Sequence, residues 1–223
     1  MLKIGWDISH MEFTINDHYY YSKLKNAIIQ AGFHVDEITR LRDARNYNVI
    51  VFNYPEKPFS FFESRILLKF LRMGKRIIML GYYNNEDGVA DAINSFVKKF
   101  GIYVLHDSVW DETNNYEGDK LLVITSKIKR YNWGVKSVMM PCSASIRIID
   151  SKAEPVLIGE KTSKTTSGNA PIMMVRIKFS KGELIVGGSC SFWDNFSIDI
   201  ADNLKFALNL LAGHDVPLPD AFR

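Results

Sequence analysis

Short apolar runs alternate with amphipathic stretches through the first hundred residues, and this alternation limits the fold more than any other feature of the chain. Residues 2–8 read as a strand. Residues 19–31 place Tyr20, Leu24, Ala27, Ile28 and Ala31 on one helical stripe, which Gly32 stops. Residues 33–38 read as a second strand. Val49-Ile50-Val51-Phe52 lies in a continuous β-rich run over 48–54, the pattern of a strand buried on both faces. Pro55 and Pro58 end it. Ser60 and Glu63 then form a Ser-x-x-Glu capping box before a helix through Arg72. Residues 76–80 are the next buried strand. Val89, Ala90, Ile93, Phe96, Val97 and Phe100 form another helical stripe, and residues 101–105 a fifth short strand. Strands alternating with helices predict parallel pairing with right-handed crossovers.

The pattern changes after His106. Residues 107–120 read as a polar loop and 121–124 as a strand. Residues 145–150, 154–160 and 171–179 read as successive antiparallel strands, with a Ser/Thr/Lys/Gly loop over 161–169. Lys181-Gly182 is a tight turn before a buried strand over 183–188. A helical stripe closes the pattern over 194–211, stopped by Gly213, with Pro217 and Pro219 in the tail. The expectation is an α/β fold: a flavodoxin-like open, mostly parallel sheet with helices on both faces and a β-rich insertion. Residues 1–223 are expected to form one domain, with the elaboration at about 107–180.

Composition narrows the function class. Of 223 residues, 47% are hydrophobic and 24% charged, which excludes a disordered or collagenous chain. The net charge of +3 is too small to imply a nucleic-acid partner. Lys127 to Lys136 interleaves bases with Tyr131 and Trp133, a pattern able to contact single strands, but a solvated loop with Trp133 buried is the preferred reading. Two cysteines do not make a disulfide scaffold. The longest charge-free run, 165–175, spans 11 residues, against about 20 for a membrane helix. No secretory signal opens the chain. The expected setting is cytoplasmic, with no membrane and no nucleic acid as partner.

Three segments resemble the class I glutamine amidotransferase-like superfamily, and within it the non-catalytic GIFT-type branch found in intraflagellar transport proteins and an oligosaccharyltransferase subunit. They are Ile4-Gly5-Trp6-Asp7-Ile8-Ser9-His10-Met11-Glu12; residues 47–54 with the following helix and Gly74 to Gly81; and Gly182 to Ser189 with Asp202-Asn203. The resemblance implies a flavodoxin-like sheet and a cysteine nucleophile in the turn after residues 76–80. That turn reads Gly81-Tyr82-Tyr83-Asn84-Asn85, without cysteine or serine. After residue 180 the only histidine is His214, so the late His-x-Glu pair is also missing. Glutaminase chemistry is not expected.

In open sheets, ligands gather beyond the carboxyl ends of the strands. The residues expected there, as a ligand-binding rim, are Asp7, Ser9, His10, Glu12, Asn53, Tyr82, Tyr83, Ser189 and Trp193, with Tyr54, His106, Asp107, Cys190 and Ser191 beside them. Asp7, His10, Glu12 and His18 have metal-ligand side chains, but their spacing matches no metal motif, and capping of backbone amides with a hydrogen bond from His10 is preferred. Cys142 and Cys190 are read as buried thiols. Gly187-Gly188-Ser189 fits neither phosphate-loop pattern, so its glycines are assigned to close packing. Phe59, Phe61 and Phe62 cannot share one helix face, so one is expected to meet a partner or a neighbouring loop.

The expected function is a non-catalytic binding or scaffold module. It would take a small polar ligand, carbohydrate among the choices, or a protein partner at the rim, with no cofactor and no metal. The alternative is a hydrolase using His10, Glu12 and Cys190. A homo-oligomeric interaction protein without a small ligand is the third reading.

Overall fold

A computed structural model describes residues 1–149, 152–166 and 168–213. The first half contains β1 (Lys3–Asp7), α1 (His18–Gln30), β2 (His34–Ile38), β3 (Val49–Asn53), α2 (Phe61–Arg72), β4 (Arg76–Leu80), α3 (Val89–Val97) and β5 (Ile102–Val104). The second contains β6 (Asn115–Tyr116), β7 (Asp119–Thr125), β8 (Lys127–Ile128), β9 (Val138–Pro141), β10 (Ile146–Ile148), β11 (Glu154–Ile158), β12 (Lys164–Thr165), β13 (Gly168–Asn169), β14 (Ile172–Phe179), β15 (Gly182–Gly187) and α4 (Asn203–Ala212).

Eight strands form the main sheet in the order β2-β1-β3-β4-β15-β14-β11-β8. Pairing is parallel from β2 through β15 and antiparallel from β15 through β8. The expected flavodoxin-like, mostly parallel sheet is therefore corrected to a mixed one. The physical reason lies in β15. Leu184, Ile185 and Val186 are wholly buried, and β15 pairs with β4. β5 is displaced into a two-stranded antiparallel pair with β10. The Ser180-Lys181 turn then folds β14 back on β15, which fixes the antiparallel half.

Several local expectations need correction. The loop read over 161–169 contains the β12–β13 hairpin. β7 pairs with β6 on one side and β9 on the other in a separate sheet; β8 and β9 were not read from the sequence. Residues 194–202 are turns rather than helix: the Asp194 carboxylate accepts the amides of Phe196 and Ser197, both at 2.9 Å, and so caps a single turn, but Ala201 takes φ 52°, through which a right-handed helix does not continue. Trp133 is 45% exposed, whereas Tyr131 is the buried aromatic of that segment. Asp150, at the end of one expected strand, and His214, Pro217 and Pro219 lie outside the described residues.

The α2 start follows the expected capping box. Ser60 Oγ accepts the Glu63 amide at 3.3 Å, and Glu63 Oε2 accepts the Ser60 amide at 2.8 Å. The core centres on Trp6, Tyr21, Phe52, Phe192, Trp193 and Phe206, all buried. Phe192 stacks on Trp193, with ring centroids 4.8 Å apart. Phe59 joins this core, while Phe61 and Phe62 stand 71% and 74% exposed. Gly188 explains the glycine pair after β15. A Cβ there would lie 2.0 Å from the Ala144 carbonyl oxygen, so only glycine permits this approach. Among the described residues, no helix is long and apolar enough to cross a membrane.

Candidate functional site

The carboxyl ends of β1, β3, β4 and β15 surround a cavity of about 310 Å³. Phe13, Tyr20, Tyr54 and Tyr82 form an aromatic belt around it. Ring centroids are 5.6 Å apart for Phe13–Tyr20, 5.1 Å for Phe13–Tyr54 and 5.6 Å for Tyr54–Tyr82. Glu86, Asp87 and Asp194 add carboxylates, and Cys190 and Ser191 complete the lining.

Local backbone explains how these groups converge. Tyr54 follows β3 with φ 68°, so its ring turns out of the strand line. Its hydroxyl donates to Asp87 at 2.8 Å. Asn84, Asn85 and Asp87 also take positive φ, at 53°, 55° and 52°. Asn and Asp tolerate that region better than other side chains. The loop after β4 thus holds Tyr82, Glu86 and Asp87 against the cavity. Strain of this kind collects at binding sites.

Burial pushes the Tyr54 and Tyr82 hydroxyls well above their ordinary range, and Asp87 adds to the effect at Tyr54. Both are neutral hydrogen-bonding groups. Burial also raises the Asp194 carboxyl, against the amides that donate to it. It pushes the Cys190 thiol up to about 12, the opposite of what an activated nucleophile needs.

The expected rim residues separate into three groups. Tyr82 lines the cavity, with Tyr83 edge-on against it at 4.8 Å. Asn53, Ser189 and Trp193 are fully buried beneath it. Asn53 donates to the Tyr21 hydroxyl at 2.8 Å and accepts from Trp193 Nε1 at 3.0 Å. Ser189 Oγ donates to the Pro141 carbonyl at 2.5 Å. Asp7, Ser9, His10 and Glu12 form a separate knot under the turn after β1.

In that knot, His10 Nδ1 lies 2.8 Å from Asp7 Oδ2. The His10 amide donates to Glu12 Oε2 at 2.8 Å. The His10 ring packs on Phe59, with centroids 4.4 Å apart. Burial and the neighbouring Asp7 carboxylate push the Glu12 carboxyl well up. His18 is exposed at the first position of α1 and does not join the knot. His106 is exposed and pairs with Asp91, while Asp107 is engaged by Ser145. Among the described residues, no hydrogen bond joins His10 or Glu12 to Cys190; the Cys190 thiol contacts Ser191 Oγ at 3.8 Å. The structure does not assemble a thiol–imidazole pair.

Phe13, Tyr20, Tyr21, Glu86, Asp87 and Asp194 were not expected at the cavity. Glu86 and Asp87 read as helix-start residues, and the tyrosines as packing. Asp194 directly follows a rim residue and had a usable positional signal.

A larger cleft of about 520 Å³ lies at the opposite ends of β4 and β15. Its arginines are occupied. Arg76 pairs with Glu183 at 2.9 Å, Arg176 with Glu154 and Glu183 at 3.1 Å each, and Arg130 with Glu154 at 2.7 Å.

No protein-family model matches the chain. Among solved structures it is similar to the mmIFT52 N-terminal domain, with a TM-score of 0.79, 19% identity, and 96% of this chain and 100% of that one covered. It is also similar to a cytoplasmic protein of Salmonella typhimurium LT2, with a TM-score of 0.54, 10% identity, and 94% and 98% covered. Identities this low show the fold alone. They correct the amidotransferase-like and GIFT-type assignment: the fold shown is that of the mmIFT52 N-terminal domain. An uncharacterized protein of Aquifex aeolicus (strain VF5) is 43% identical over 219 residues, covering 94% of this chain and 93% of its own length. This chain and that Aquifex aeolicus protein belong to one family.

Proposed function

We propose that the chain is a non-catalytic binding module, acting as one domain, whose rim cavity takes a small polyhydroxylated ligand such as a single sugar ring. The aromatic belt with three carboxylates at one cavity carries this reading. Flat aromatic faces stack on the C–H face of a sugar, and carboxylates accept from its hydroxyls. A volume of about 310 Å³ falls at the small end of ligand pockets, about 300 to 1,000 Å³. The raised Cys190 thiol, without an imidazole partner, favours binding over hydrolysis.

The test is a monosaccharide panel screened by saturation-transfer NMR against wild type, Tyr82→Ala and Asp194→Asn. Binding weakened about fivefold by Tyr82→Ala supports the reading, since a stacked ring contributes about 1 kcal/mol. No binding at millimolar concentration, or binding indifferent to both substitutions, overturns it.

A protein partner at the cavity mouth is a second reading. Tyr19 and Phe196 are 65% and 58% exposed, with ring centroids 5.3 Å apart, next to the half-exposed Phe13. Exposed aromatics of this kind anchor interfaces. A self-association measurement on wild type and Phe196→Asp tests whether that partner is a second copy.

A further inference from the structure

Four donor atoms converge beneath the turn after β1. Asp7 Oδ2 and His10 Nδ1 are 2.8 Å apart. Ser9 Oγ lies 3.0 Å from Asp7 Oδ2 and 3.1 Å from His10 Nδ1. Glu12 Oε1 lies 3.8 Å from His10 Nδ1. The donors of the three ionisable residues fall within 4.8 Å of one another. Ligands around a tetrahedral ion with bonds of about 2.1 Å stand about 3.4 Å apart, inside the observed spread.

Two buried atoms of this cluster have no hydrogen-bond partner: His10 Nε2 and Glu12 Oε1. His10 is 2% exposed and Glu12 8%. Without a bound ion, Glu12 must stay protonated, because burial and the Asp7 carboxylate raise its carboxyl, and His10 Nε2 stays without a partner at a cost of about 1 to 3 kcal/mol. The Nδ1–Asp7 hydrogen bond supplies none. With Nδ1–H donated to Asp7, a neutral ring leaves Nε2 as an acceptor facing Glu63 Oε1 at 3.4 Å, another acceptor.

A cation between the donors resolves both. Nδ1 becomes a ligand through its lone pair, and the ring proton moves to Nε2, which can donate to Glu63. That is the carboxylate–histidine–metal relay by which an outer carboxylate orients a ligand ring. Glu12 Oε1 becomes a ligand in turn, and a divalent charge offsets the two buried carboxylates. The order of the groups along the chain also fits. Asp7 ends β1, His10 and Glu12 lie in the next turn, and Glu63 sits in the first turn of α2, so an ion would clip the turn to the helix start.

We propose that Asp7, His10 and Glu12, with Ser9 Oγ as a fourth donor, form a binding site for a divalent first-row transition ion, with zinc the best match. One imidazole among oxygen donors suits zinc better than a copper or purely magnesium site. Enclosure on all sides makes the site structural. The turn it would fix ends at Phe13, whose carbonyl accepts from Trp6 Nε1 at 2.7 Å and whose ring walls the rim cavity.

The experiment uses the full chain without an affinity tag, stripped with chelator, dialysed against Zn²⁺ alone and desalted. Zinc per chain is measured by mass spectrometry, and melting curves are recorded with and without Zn²⁺. Wild type is expected to retain one equivalent and to melt higher when loaded. Glu12→Gln keeps the shape of a protonated carboxyl and should keep the metal-free melting temperature while losing retained zinc. Glu63→Gln, at a partly exposed position, should fold normally and weaken zinc affinity about 10- to 100-fold. The proposal is overturned if wild type retains no zinc, or if Glu12→Gln and Glu63→Gln retain it as wild type does. Retention of Mn²⁺ or Mg²⁺ in preference to Zn²⁺ in parallel dialyses overturns the zinc assignment.

Discussion

Asn203, the first residue of α4, is fully buried and makes four hydrogen bonds. Its Oδ1 accepts the Met139 amide at 2.8 Å. Its Nδ2 donates to the carbonyls of Met139 at 3.0 Å, Phe192 at 2.8 Å and Ser197 at 3.1 Å. The side-chain amide thus engages both backbone groups of one β9 residue, as a neighbouring strand would. Asn203→Leu keeps much of the volume and removes all four bonds. The Ser197 carbonyl keeps the Ile200 amide, but the Met139 amide, the Met139 carbonyl and the Phe192 carbonyl lose partners in a dry environment. At about 1 to 3 kcal/mol for each orphaned group, the loss is at least about 3 kcal/mol. That is a large part of a typical stability of about 5 to 15 kcal/mol. For a chain of this size it corresponds to a melting temperature lower by about 6 to 12 °C. Circular dichroism melts and urea titrations of wild type and Asn203→Leu measure it. A drop of less than about 2 °C would refute the assignment of Asn203 as the clasp between α4, β9 and the 192–197 turn, given that scale.

Two further outcomes are expected. Gly188→Ala puts a methyl 2.0 Å from the Ala144 carbonyl oxygen and disturbs the Ala144 amide bond to the Gly188 carbonyl at 2.9 Å; a loss of about 3 kcal/mol in urea unfolding is expected, and a neutral result would show that the backbone yields freely there. Glu183 is held below its ordinary 4.5, against its burial, by Arg76, Tyr131 and Arg176. A depressed carboxylate contributes stability that is present above about pH 4.5 and lost as pH falls through the folded pKa. Glu183→Gln should therefore melt lower than wild type at neutral pH yet lose less on acidification below about pH 4.5; parallel acid limbs in the two melting-temperature profiles would contradict this.

Short-range chemistry made the first half of the chain legible. Val49 to Asn53 and Arg76 to Leu80 are apolar enough to be strands in any surroundings, and Ser60 with Glu63 marks the α2 start by side-chain reach alone. Partner choice was not legible. Nothing local to Ile102–Val104 says that β15 will take the place beside β4. The helix read over 194–202 failed because Ala201 takes φ 52°, a break that its residue type does not announce. At the cavity, Tyr82 and Tyr54 follow strands and could be placed at the rim. Tyr20 and Tyr21 lie on a helix, and a helical stripe does not reveal which end overhangs the sheet. The Asp7–His10–Glu12 knot was visible as a set of residue types, but Glu63, which faces the His10 ring from α2, is distant in sequence.

The position of β15 also sets an order of events during synthesis. Its register joins Glu183 to Arg76 and Gly187 to Leu80, so the strand that seals the middle of the sheet leaves the ribosome long after β4. Until then β4 has one open edge, with Ile77, Ile78 and Met79 still awaiting their neighbour. Open edges of this kind invite pairing with other chains, and sheets closed by distant segments fold slowly, in about milliseconds to seconds. A nascent chain halted before residue 182 is therefore a sticky form of this protein, and its yield should depend on how fast the stretch between β4 and β15 is made as well as on the stability of the finished fold.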